Sequence, residues 1–167
     1  MWMPIQYIFS KKLITMDKHS YNVNISWTQD RKGMMCSPEL QKDDTNETNC
    51  IEVATPPEFP GGIPNIWSPE HLFTAAVSSC LMTTFLAIAE NSKLEFVSFK
   101  CDSKGILDKV DGKFVISEVL LFPEVIITDE SQRERTERIL GKSEKACLVS
   151  NSITSKVTME PKITIQN

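Results

Sequence analysis

Apolar and polar positions change period several times along this chain, and the changes outline its elements. Tyr21, Val23, Ile25 and Trp27 alternate with Asn22, Asn24 and Ser26, the pattern of a half-buried strand. Asp30-Arg31-Lys32-Gly33 closes that strand in a turn. The polar run Pro38–Asn49 predicts a mobile loop or hairpin tip, and Ile51 and Val53 predict another strand. Thr55–Trp67 (TPPEFPGGIPNIW) carries four prolines and two adjacent glycines, which rules out regular structure and predicts an ordered loop leading into a helix.

That helix, Ser68–Asn91, is the centre of the pattern. Ser68 can cap the first free amides, Pro69 suits the first helical position, and Glu70 places a negative charge where the helix dipole favours it. From His71 to Ala89 no Asp, Glu, Lys or Arg occurs, and apolar residues fall on nearly every face. A helix apolar all round is buried on all sides or lies in a membrane. Thr74, Ser78, Ser79, Thr83 and Thr84 interrupt it and strands flank it, so a core helix is expected.

After the helix, Val97, Phe99 and Cys101 alternate, Asp111-Gly112 signals a hairpin, and Val115, Val119, Leu121, Val125 and Ile127 continue on its far side. A second helix is predicted from about Thr128 or Asp129. Its exposed face mixes Glu130, Arg133, Glu134, Arg135, Glu137 and Arg138, an ordinary solvated surface. Ile139, Ser143 and Cys147 share an i, i+4, i+8 stripe, so Cys147 should face inward. Val157, Met159, Ile163 and Ile165 form a last strand, with Pro161 marking an edge or a bulge. Strands before, between and after two helices make an α+β fold, and neither a repeat nor a linker divides residues 1–167 into more than one domain. Residues 1–16 lack the basic start, long apolar run and cleavage site of a signal peptide. They read either as a strand that joins the fold or as a peripheral or non-native extension ahead of Met16.

Composition narrows the class. A net charge of −4 gives no electrostatic reason to expect nucleic acid or an anionic membrane as partner. Five cysteines at irregular spacing do not read as a secreted disulfide framework, so the cytoplasm is the default compartment. Without a CxxC pair and with two histidines, neither a zinc site nor any other metal or cofactor is expected.

The chemistry therefore rests on cysteine. Cys36, Cys50 and Cys101, in a turn or in strands, read as incidental small residues. His71 in the first helical turn reads as structural rather than as a general base, and Gly61-Gly62 as loop geometry rather than a phosphate cradle. Cys80, near the middle of the first helix, can be an inert core residue or a reactive thiol. An apolar setting raises a thiol pKa, so a reactive Cys80 needs a cation brought from elsewhere in the fold. Cys147 near the end of the second helix can also face the core, and the two can meet.

The stretch SPEHLFTAAVSSC, followed by a second cysteine in KACLVSNSI, resembles the OsmC/Ohr family of thiol-dependent hydroperoxide reductases. TPPEFPGG and Arg31-Lys32-Gly33 also resemble its Ohr branch, and the likeness runs from about Tyr21 to Ile165. It departs from the family at Leu148, where proline usually follows the second cysteine. The resemblance implies antiparallel sheets around a central helix and an intertwined homodimer with active sites at the subunit interface. It implies Cys80 as peroxidatic cysteine, Cys147 as the resolving one, and Glu70 paired with an arginine at the thiolate, for which Arg31 is the candidate. The reaction so implied reduces an organic hydroperoxide to its alcohol, with a dithiol reductant such as one of the lipoyl type. Phe73, Met82, Phe85 and Trp67 would give Cys80 apolar surroundings suited to an organic substrate. The competing expectation is a non-catalytic binding or redox-sensing protein with an apolar interface pocket.

Overall fold

The computed structural model describes residues 18–41 and 48–166. The expectations for residues 1–16 lie outside them, as does part of the predicted hairpin tip. Strands β1 (Asn24–Gln29), β2 (Lys32–Gln41) and β3 (Thr48–Ala54) form an antiparallel sheet in that order. Asp30 turns the first hairpin with φ at 47°, a value that Asp tolerates better than most residues. Pro38–Gln41 and Thr48–Asn49, expected in a loop, extend β2 and β3 instead. The half-buried strand expected at Tyr21–Trp27 also needs correction. All six residues of β1 are exposed, and Trp27 is 76% accessible, because no element among the described residues covers that face.

The proline-rich loop is ordered by its ends. The Ala54 amide donates to the Trp67 carbonyl at 2.8 Å, and Ile63 donates to Thr55 at 2.9 Å. Helix α1 (Pro69–Asn91) then starts as its sequence predicts. The Ser68 hydroxyl accepts from the His71 amide, and the His71 ring accepts from the Ser68 amide, satisfying two otherwise orphaned donors.

Val77, Leu81, Phe85 and Ala89 form a fully buried i, i+4 stripe along α1. Within one chain the helix is therefore not buried on all sides as its composition suggested. Met82 and Leu86, on the other face, are exposed. Length and composition alone would let α1 cross a membrane, but here it packs on a sheet and a second helix.

That sheet is formed by β4 (Phe96–Val110) and β5 (Lys113–Ile127), with β6 (Lys156–Met159) and β7 (Lys162–Ile165) both parallel to β5 along its other edge. Asp111 (φ 49°) and Gly112 (φ 79°) make the two-residue turn that the sequence signals. Two bulges correct the simple alternation. One at Val97 leaves Phe96 and Phe99 packed against the core and Val97 exposed; the other, near Ser117, turns Ile116 inward and Val115 outward. Pro161, without an amide hydrogen, sits at the break between β6 and β7. Gly105 on β4 passes so close to α1 that a Cβ there would collide with the Thr74 hydroxyl.

Helix α2 (Arg133–Ala146) starts later than predicted, after a single 3-10 turn at Glu130–Gln132 that Asp129 caps. Ile139 and Leu140 join Phe85, Ala89, Val125 and Ile127 in one cluster, fixing α2 against α1 and the sheet. The result is a mixed α+β fold.

Candidate functional site

Cys80 lies mid-way along α1 and is partly exposed. At about 100° per residue, Phe73 and Thr84 share its side of the helix. Of the other residues expected to enclose it, Phe85 turns into the core while Trp67 and Met82 are exposed.

Cys147 caps the C-terminus of α2 and is fully buried. Its inward position follows from the stripe above it, since Ile139 and Ser143 are buried too and the Ser143 hydroxyl donates to the Ile139 carbonyl at 2.8 Å. At Cys147 the chain leaves the helix in an extended conformation (φ −63°, ψ 112°) and then curls through a 3-10 turn, Ser150–Ser152. This turn brings the Val149 amide to 3.5 Å from the Cys80 sulfur. The Ser150 hydroxyl donates to the Cys147 sulfur at 3.1 Å. The same turn thus ties the backbone beside Cys147 to the Cys80 sulfur.

The two thiols are not equivalent. Burial pushes Cys80 up, but hydrogen bonds from Cys147, the Val149 backbone, the Thr84 side chain and the Leu148 backbone outweigh it, and the thiol ends below its ordinary pKa. Burial pushes Cys147 up, and its hydrogen bond to Cys80 pushes it the same way, against weaker help from Ser150. Cys80 is thus the sulfur that ionises first, with a neutral Cys147 donating to it. Such a pair suits a nucleophilic thiolate beside a second thiol able to trap its oxidised form.

Arg31 and Glu70 do not join this cluster. Arg31 occupies the β1–β2 turn, exposed, with its side chain against Gly61, where a Cβ would stand 3.3 Å from its Nε. Glu70 stands in the first turn of α1, about 15 Å along the axis from Cys80. Its Oε2 is buried without a hydrogen-bond partner. Among the described residues neither forms an ion pair. Glu70 lines a cavity of about 620 Å³ between the first half of α1 and the β4–β5 hairpin, together with Phe59, Trp67, Thr74, Lys104 and Leu107. Cys80 does not line it. His71 is engaged in the helix cap and stands edge-on to Trp67, in keeping with its structural reading.

Two cysteines read as incidental are bonded to each other. Cys36 on β2 lies directly opposite Cys50 on β3, with their Cα atoms 4.3 Å apart, and the pair forms a disulfide. Hairpin register decides this, and the irregular spacing of the cysteines hid it. Cys101 is a free thiol on β4, raised by burial. The groups around Cys80 that the sequence did not announce are Thr84, which its i+4 spacing would have found, and the backbone of Leu148 and Val149, which has no side-chain signature.

The profile of the family described as OsmC-like protein matches residues 62–162, a span that holds α1, Cys80 and Cys147, and the second sheet up to the start of β7. The chain belongs to the OsmC-like family. Its fold matches that of an OsmC-like protein of unknown function from Vibrio cholerae O1 biovar eltor (TM-score 0.73, 23% identity, 86% of this chain and 99% of the other). It also matches an organic hydroperoxide resistance protein from Elizabethkingia anophelis (TM-score 0.68, 18% identity, 90% and 99%). At these identities the likeness is one of fold. The uncharacterised protein YmaD of Bacillus subtilis (strain 168) is 23% identical over 96 residues, 56% of this chain. The chain covers 64% of that curated relative, less than two thirds of its length. This OsmC-like chain thus keeps its thiol pair inside the part that defines the family.

Proposed function

We propose that the protein is a thiol-dependent peroxidase that reduces organic hydroperoxides to alcohols, with Cys80 as peroxidatic and Cys147 as resolving cysteine. The observation that carries this reading is the meeting of two unequal free thiols, a partly exposed Cys80 with the Val149 amide 3.5 Å from its sulfur and a buried Cys147 with the Ser150 hydroxyl 3.1 Å from its own. The Cys80 thiolate attacks the distal peroxide oxygen, and the O–O bond breaks. Sulfur is oxidised to a sulfenic acid, and the alkoxide takes up a proton and leaves as alcohol. The Cys147 thiol then attacks that sulfur, water departs, and a Cys80–Cys147 disulfide forms. A dithiol reductant of the lipoyl type returns two electrons and two protons.

Arg31 and Glu70 enter the proposal through a homodimer. Apolar residues of the first sheet (Ile25, Trp27), Tyr21 just ahead of it, and Met82 and Leu86 of α1, all exposed among the described residues, support a second copy packing there. The unpartnered Glu70 oxygen supports the arrival of a cation, and Arg31 of a second copy is our candidate. A stable folded monomer in sedimentation at micromolar concentration would remove this part. The proposed compartment is the cytoplasm. The Cys36–Cys50 bond pulls the other way, since disulfides persist mainly in oxidising compartments.

The experiment is turnover of an organic hydroperoxide with dihydrolipoamide as electron donor. Consumption that requires Cys80 and yields one alcohol per peroxide supports the reading; stoichiometric oxidation that spares Cys80 ends it. A second reading, a binding protein, draws on the cavity at Glu70, because that cavity is lined without Cys80. Saturable binding of an apolar ligand by a chain without peroxide turnover would favour it.

A further inference from the structure

The start of α1 hangs on one nitrogen atom. Ser68 is fully buried, so its amide and its hydroxyl cannot turn to water instead. Both meet Nδ1 of His71: the amide donates to it at 3.4 Å, and the hydroxyl oxygen lies 2.8 Å from it. That hydroxyl already accepts the His71 amide at 3.3 Å, which leaves its own hydrogen free to point at the ring. An amide can only donate, so Nδ1 is an acceptor and the neutral ring carries its proton on Nε2. A proton added at Nδ1 would set one N–H against another. In the usual capping box this position holds Glu or Gln, whose acceptor oxygen persists near neutral pH; histidine makes the same contact conditional on its charge.

We infer that His71 is a proton-operated latch on the start of α1 and, through it, a positioning residue for Glu70. Neutral, the ring holds Ser68 and fixes the first turn, in which Glu70 stands. Protonated, it releases two Ser68 donors inside the protein. The contact is present at high pH and is lost as pH falls through the range in which histidine takes up a proton. Glu58 of the proline-rich loop, Glu70 of α1 and Lys104 of β4 are the charged residues that line a cavity together with His71. The two carboxylates favour a charged ring, while Lys104 and the positive end of the helix oppose it. Trp67 meets the ring edge-on and adds no charge. On its other side Glu70 is tied by Thr74, whose hydroxyl donates to the Glu70 carbonyl at 2.9 Å, a bond that involves no titrating group. The latch is therefore the tie that a proton can open. Its meaning for turnover rests on the peroxidase proposed above and the place of Glu70 in it; the latch itself does not.

The test follows amide and imidazole NMR signals of the full-length protein between about pH 8 and about pH 6, with the exposed His19 as internal reference. At the alkaline end His71 should show a bare Nδ1; a proton found there overturns the latch. Hydrogen-exchange protection of the Ser68 and His71 amides, corrected for intrinsic exchange, should fall about threefold across the range, the loss of part of a helix cap. Leu81 and Phe85, on the buried stripe of α1, should keep theirs. Protection that stays flat while the ring takes up its proton overturns the inference. His71→Gln keeps an acceptor at the same position and cannot titrate, so the fall should vanish. A fall that persists in H71Q assigns the effect to Glu58, Glu70 or Lys104 and equally overturns it. Organic hydroperoxide turnover is scored alongside. The ratio of wild-type to H71Q rate should drop about twofold from the alkaline to the acid end, because ionisation of Cys80 is common to both and cancels. A constant ratio overturns the positioning role. Absence of turnover in both proteins, with protection still following the proton, removes the peroxidase and leaves the latch.

Discussion

Cys36 and Cys50 stand opposite each other on the two strands of one hairpin, 14 residues apart, and are bonded. Cys80 and Cys147 come from the middle of one helix and the end of another, and both are free. In the first pair, strand register alone delivers the sulfurs to each other, and the bond joins neighbouring strands of one sheet. In the second pair, the packing of α2 on α1 and the curl of chain after Cys147 deliver them. That packing also makes them unequal, with donors gathered on Cys80 and burial concentrated on Cys147. The difference separates a cross-link from a reactive site. A cross-link needs two sulfurs in register, while a reactive site needs one sulfur that ionises and another that waits.

The largest expected effect breaks the second pair and spares the first. Cys80→Ser should drop hydroperoxide consumption to the uncatalysed background. Cys147→Ser should instead accumulate sulfenic or sulfinic acid on Cys80 after one equivalent of hydroperoxide, read by mass spectrometry. Oxidation landing on Cys101 while Cys80 stays reduced would dissolve the distinction between the pairs.

Next in size is the cross-link. Replacing Cys36 and Cys50 together by serine reopens the loop between them and should lower stability by about 3 kcal/mol, seen as an earlier urea midpoint. Hydroperoxide turnover per folded molecule should stay unchanged. If the double variant loses turnover while folded, the first sheet contributes more to the site than its cross-link.

A smaller effect sharpens the contrast within the second pair. As pH rises from the acid side, Cys80 should alkylate first, because hydrogen bonds lower its pKa. Cys101 and Cys147, both raised by burial, should follow at higher pH. Pulse alkylation resolved by peptide measures the order, and a Cys147 that leads Cys80 would exchange their roles.

The smallest effect concerns the waiting sulfur. Ser150→Ala removes one donor to Cys147 and should raise that thiol further, slowing disulfide closure about fivefold, as expected for a net hydrogen bond of about 1 kcal/mol. Stopped-flow quenching after a single peroxide addition would show this, with the first oxidation step unaltered.

The sequence by itself determined the elements whose causes are local. Ser68, Pro69 and Glu70 fix where α1 starts; Asp111-Gly112 fixes the β4–β5 hairpin; four prolines keep Thr55–Trp67 irregular; and the i+4 stripe turns Cys147 inward. It also held the motif that led to the OsmC-like family. Three features were left to tertiary structure. The Cys36–Cys50 bond depends on β2–β3 register, which residue types in a polar run do not specify. The inward and outward faces of β4 and β5 depend on bulges, each of which shifts the alternation by one residue. The environment of Cys80 depends on backbone amides of a turn sixty-odd residues away, and every residue but proline carries an amide, so no pattern of side chains announces it. Side-chain chemistry is written in the sequence, but the direction in which main-chain donors point is set only when α1, α2 and the sheet pack together.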